Sequence, residues 1–114
     1  MKTDKEILDR LGELLIKKVF DSNYEILKQN ISFYLEQKQL SNNIDKVTGN
    51  IMISLLFDFL KIFEEHEEEY KIVYHGEGKE INLVEISEML KAEHLGENGW
   101  IVKYSKQKKQ DEII

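Results

Sequence analysis

Up to Phe63 the apolar residues of this chain recur every three or four positions. From Tyr70 they alternate, Tyr70/Ile72/Tyr74, as in a strand. Between the two lies Glu64-Glu65-His66-Glu67-Glu68-Glu69. The change of period predicts an α+β fold in a single domain over 1–114. A helical part covers 1–66, a small α/β part covers 70–106, and 107–114 reads as a frayed tail.

Thr3-Asp4-Lys5-Glu6 has the form of a capping box, in which Thr and Glu satisfy each other's free N–H groups. A first helix should start there, with Ile7, Leu8, Leu11, Leu14, Leu15 and Val19 on helical spacing. Ser22-Asn23-Tyr24-Glu25 repeats the box and predicts a break or kink near Asp21. The stripe Tyr24, Leu27, Ile31, Tyr34 and Leu35 also runs on from Phe20. The pattern over 4–38 therefore allows either one long bent helix or two. Leu40-Ser41-Asn42-Asn43 offers a turn and another N-cap.

The third helix, over 43–66, carries Ile44, Val47, Ile51, Leu55, Phe59 and Ile62 along one side. Met52, Leu56 and Phe63 widen that side until little polar face remains. Such a helix should be the central, buried element, with Leu56 and Phe59 in the core. Its broad apolar surface also admits a homodimer.

Tyr70–His75 reads as a strand, His75-Gly76-Glu77-Gly78-Lys79 as a glycine-rich turn, and Lys79–Ile81 as a short returning strand. Asn82 should cap a helix running to His94, stapled by Ile81 and Ile86 and ended by Gly96. Trp100–Tyr104 then reads as the last strand of a ββαβ or βαβ unit, its edges covered by helix or by another chain. Trp100 and Tyr104 fall on one strand face, most simply as core beneath the 83–94 helix.

Composition changes this picture mainly by what it lacks. There is no cysteine, which removes disulfides, thiolate zinc sites and cysteine nucleophiles, and no proline. Arg10 is the only arginine, against fifteen lysines, which disfavours bidentate reading of phosphate or guanine. No apolar run is long enough to span a bilayer, and the charged start is not that of a secretory signal. A cytoplasmic setting follows as the expectation. Abundant Lys, Ile, Asn and Glu suggest an AT-rich bacterial or phage genome.

The net charge of −6 is unevenly placed. Residues 1–63 hold nine basic and nine acidic side chains and are neutral. Residues 64–97 hold eleven acids and three lysines, net −8, and 98–114 hold four lysines and two acids, net +2. Glu64, Glu65, Glu67, Glu68 and Glu69 crowd a helix C-terminus, where the dipole is already negative. Like charges four apart, Glu64/Glu68 and Glu65/Glu69, each cost about 0.2–0.5 kcal/mol. A local rule broken without compensation can mark a functional surface, here one that binds a basic protein partner. The plainer alternative is a solvated helix end neutralised by Lys103, Lys106, Lys108 and Lys109.

Other chemistry finds little support. His66, His75 and His94 show no metal-ligand spacing, so no metal and no cofactor are expected. No nucleophile elbow, P-loop or dinucleotide fingerprint is present, and a His75–Glu pair is the only candidate for acid–base work. The chain is therefore expected not to be an enzyme. Its size and acidity resemble those of bacterial or phage inhibitors, immunity proteins and accessory subunits that cover a basic surface on a target. The rival reading is a winged-helix-like nucleic-acid binder, with Trp100 and Tyr104 as a stacking platform and Lys103, Lys106, Lys108 and Lys109 on phosphate.

Overall fold

The computed structural model describes residues 1–107 of the 114. Helices dominate and a two-stranded antiparallel sheet follows them, an α+β fold. The expected Lys108 and Lys109 lie outside the described residues. The chain divides into two compact units, Met1–Leu55 and Leu56–Ile114.

The first unit begins with α1, Asp4–Leu15, and its capping box is formed as expected. Thr3 Oγ1 accepts from the Glu6 N–H at 3.1 Å, and the Glu6 carboxylate accepts from the Thr3 N–H at 3.1 Å. The Thr3 backbone N–H first, and then the Thr3 hydroxyl, hold the Glu6 carboxyl below the usual carboxylate range. Glu13 is lowered as well, first by its bond to Lys17 and then by that to Arg10.

The second capping box does not form. The helix runs on through a π segment, Ile16–Phe20, into α2, Asp21–Glu36, and residues at both junctions keep right-handed helical backbone. The single long helix is thus the alternative realised, and the discontinuity is a widened turn. Asn23, one of the residues that would have made the cap, is instead buried, and its side-chain N–H donates to the Val19 carbonyl at 2.7 Å. An Asn that bonds back one turn in this way supports a helix interior instead of starting a new helix.

Lys38 closes α2 in left-handed backbone, φ 57°. Its N–H reaches the Leu35 carbonyl and that of Gln39 reaches Tyr34, the double closure of a Schellman turn with lysine where glycine is usual. α3 starts directly at Leu40 and runs to Glu65, 26 residues, so it begins before the expected 43.

Among the described residues α3 supplies five of the eight buried hydrophobic side chains: Val47, Ile51, Leu60, Ile62 and Phe63. Part of its apolar face is buried, as its pattern implies. The expected core pair is not: Leu56 is 43% and Phe59 38% exposed. Burial concentrates at the last turns, where Leu60, Ile62 and Phe63 spread over a wide arc of the helix.

In the second unit, β1 (Val73–Gly76) pairs with β2 (Lys79–Asn82), with Val73 opposite Asn82 and His75 opposite Glu80. The tip, Glu77-Gly78, has positive φ at both residues, 53° and 73°, as a two-residue I′ hairpin demands. Asn82 then caps α4 through its side-chain oxygen, which accepts from the Val84 N–H at 3.3 Å.

Two expectations fail here. The helix from Asn82 to His94 stops after one turn, Leu83–Ile86, and a 3₁₀ turn, Leu90–Ala92, follows an extended Ser87. A continuous helix would bond the Lys91 N–H to the Ser87 carbonyl. That N–H is taken by the carboxylate of Glu64 instead, at 2.8 Å, and the Ser87 hydroxyl donates to Glu93. The tertiary bonds replace the helical ladder.

The final strand is also not one. Trp100–Tyr104 forms a short helix, α5. Its first amides are satisfied by chain folded beneath them, Trp100 N–H to the Glu93 carbonyl at 3.0 Å and Ile101 N–H to His94 at 3.3 Å. Gly99 makes this possible. A Cβ there would lie 2.1 Å from the Leu95 carbonyl oxygen, a backbone atom with no room to yield.

We predict that Ile62→Ala, at 1% exposure, costs about 2–5 kcal/mol, and that Leu56→Ala costs less than half as much. Denaturant unfolding of both variants measures this. Equal losses would mean that the last turns of α3 are not the centre of burial.

Candidate functional site

The acidic stretch after Phe63 begins on the last residues of α3 and continues in the turn beyond. The regular helix ends at Glu65, and the Glu69 and Tyr70 amides turn back onto the His66 carbonyl.

The glutamates have different surroundings. Glu64 is tied inward: one carboxylate oxygen takes the Lys91 N–H, and the other lies 3.6 Å from the Lys91 ammonium. This pair is mostly shielded, with 19% of the Glu64 side chain exposed. The Lys91 ammonium also stands 5.8 Å from the centre of the Phe57 ring. Glu65 pairs with Lys61 at 3.3 Å, and Glu69 with His66 Nδ1 at 3.5 Å. Glu65, Glu68 and Glu69 are exposed, and Glu67 is half-buried. Glu64 to Glu69, with Lys71 and His66, line one open concavity of about 510 Å³. The structure therefore gathers all five glutamates on one surface, with Glu64 as its anchored end.

The histidines separate. His75 is exposed on the hairpin, its Nδ1 3.1 Å from the Glu80 carboxylate of the cross-strand neighbour. His94 is fully buried. Among the described residues no group of three or more His, Asp or Glu side chains is placed to hold a metal ion. The His75–Glu80 pair stands in open water, with 79% and 71% of the side chains exposed.

Trp100 and Tyr104 are not core. Trp100 is 40% and Tyr104 77% exposed. A spacing of four puts two side chains on one face of a strand and also on one face of a helix, so their pairing survives the change of element. Lys103 and Lys106 are exposed beside them. No sequence signal singled out Lys91, whose backbone amide, not its side-chain type, makes the closer contact.

Comparison with family models, with curated proteins and with solved structures finds no match for this chain. Among the described residues no helix is long and apolar enough to cross a membrane.

We predict that Glu64→Ala destabilises by about 1–3 kcal/mol, because it leaves the Lys91 N–H without its acceptor. Lys91→Ala keeps that N–H and should cost less, and Glu68→Ala should fall within about 0.5 kcal/mol of wild type. Thermal and denaturant melts of the three variants decide it. A Glu64→Ala loss no greater than that of Glu68→Ala would show the carboxylate to be merely solvated.

Proposed function

We propose that this chain is a non-enzymatic, intracellular protein that binds a basic surface on another protein through the acidic concavity after α3. The observation that carries the reading is the convergence of Glu64, Glu65, Glu67, Glu68 and Glu69 on one open surface. Glu64, held by Lys91, fixes the end of that surface. Glu65, Glu68 and Glu69 are free of burial and can meet a partner's lysines or arginines at the rim of an interface.

Charges of one sign on a surface steer encounter and set association rate more than they set final affinity. A small acidic inhibitor, immunity protein or accessory subunit of bacterial or phage origin would act in this way. It would cover a basic functional surface and need no reaction of its own.

A second reading has its own observation, the exposure of Trp100 and Tyr104 beside Lys103 and Lys106. Exposed aromatics next to ammonium groups can stack on bases while the lysines meet phosphate. Trp100 is the only tryptophan of the chain, so its fluorescence reports directly on that face.

The test begins with capture of partners by the tagged chain and continues with association rates against ionic strength. Wild type should associate more slowly as salt rises, and the triple variant Glu65→Gln/Glu68→Gln/Glu69→Gln should associate slowly with a flatter salt dependence. Identical curves, with both proteins folded, would remove the acidic surface from the interaction. Quenching of Trp100 by a single-stranded oligonucleotide, unaffected by the triple variant, would favour the second reading.

A further inference from the structure

The long helix of the first unit carries two neighbouring stripes. The inner stripe, Val19, Asn23, Leu27 and Tyr34, is buried or half-buried. The outer stripe, Ile16, Phe20, Tyr24 and Leu35, is 50%, 56%, 57% and 61% exposed, with the half-buried Ile31 between its last two members. At about 100° per residue Phe20, Tyr24, Ile31 and Leu35 fall within a narrow arc. Members of the stripe also contact one another and a neighbouring lysine. The Phe20 and Tyr24 rings stack at 6.0 Å, and the Lys28 ammonium lies 5.8 Å from the Tyr24 ring centre.

We infer that a second copy of this chain covers this outer stripe, giving a homodimer joined through the long helix of the first unit. Two quantities favour a second copy as the occupant. The first is area. With aromatic side chains carrying roughly 150–250 Å² each and the aliphatic ones somewhat less, the four residues present on the order of 400 Å² of apolar surface. A stable interface buries about 800 Å² per partner, of which somewhat more than half is apolar, so the stripe supplies close to the apolar share required.

The second is charge. Residues 1–55 hold eight basic and eight acidic side chains, and the stretch 16–36 balances Lys17, Lys18 and Lys28 against Asp21, Glu25 and Glu36. A neutral face gives a charged partner nothing to select and does not repel its own copy. In a two-fold pair the same stripe meets itself, so one apolar surface suffices for both sides. This inference stands independently of the acidic concavity, which belongs to the other unit.

Sedimentation velocity of the full chain, from low to high micromolar concentration, tests it. The expected result is a species of twice the chain mass, with a melting temperature that rises with concentration. The double variant Phe20→Lys/Leu35→Lys should weaken the dimer about tenfold or more. Phe33→Ser, at an exposed aromatic on another side of the helix, should leave it unchanged. A wild type that sediments at the chain mass throughout, or a double variant that dimerises like wild type, overturns the inference. Should the double variant fail to fold, hydrogen exchange of wild type in concentrated and dilute solution decides. Slowing within 16–36 on concentration supports the stripe, and slowing confined to other segments contradicts it.

Discussion

The carboxylate of Glu64 determines the backbone path of the second unit. It stands on the last turn of α3, next to Phe63, and takes the N–H of Lys91 across 27 residues of sequence. That bond replaces the one a helix from Asn82 to His94 would have made at the same amide. With the helix cut short, Ser87 extends, Leu90 turns inward, and His94 is buried. The carbonyls of Glu93 and His94 then receive the first amides of α5, so α5 starts on that folded loop without a side-chain cap. A half-buried carboxylate with an N–H on one oxygen and an ammonium near the other is well satisfied, and removing either acceptor or donor leaves the remaining group desolvated.

Net charge is divided unevenly between the two units, while both expose large apolar side chains. Residues 56–114 carry fourteen acids and eight lysines, net −6, which is the whole net charge of the chain. The first unit is neutral but leaves large apolar side chains uncovered on its long helix. These are different means of association. Salt-sensitive steering belongs to an acidic surface, and area-driven, salt-insensitive pairing belongs to a neutral apolar stripe. One chain can use both at once, since the two features do not share residues.

Much of the fold was legible because local rules and tertiary packing agreed. The Thr3–Glu6 box, the Asn82 cap, the Glu77-Gly78 hairpin turn and the dominance of α3 all follow from spacing and turn chemistry. Where the reading failed, a distant group had changed the local balance. Ser22-Asn23-Tyr24-Glu25 has the letters of a capping box, but burial of Asn23 and its bond to Val19 make it helix interior. Trp100-Ile101-Val102-Lys103-Tyr104 is apolar and β-branched enough for a strand, yet among the described residues no strand pairs with it, and the carbonyls of Glu93 and His94 offer helix-starting acceptors. Leu56 and Phe59 match the core pattern, but the periodicity of α3 does not tell which of its many apolar positions the later chain covers. The glutamates were visible as an anomaly of charge. That one of them is a structural acceptor depends on a backbone amide, and no residue type announces it.

The backbone path of the second unit depends on the Glu64–Lys91 bond, and the amide of Lys91 reports that bond directly. Residue-resolved hydrogen exchange under native conditions should find that amide protected to a degree comparable with amides inside α3, although it begins an irregular segment. The protection should disappear in Glu64→Ala while the interior of α3 stays protected. A Lys91 amide that exchanges as fast as those of the exposed hairpin tip, in the wild-type protein, would contradict the account.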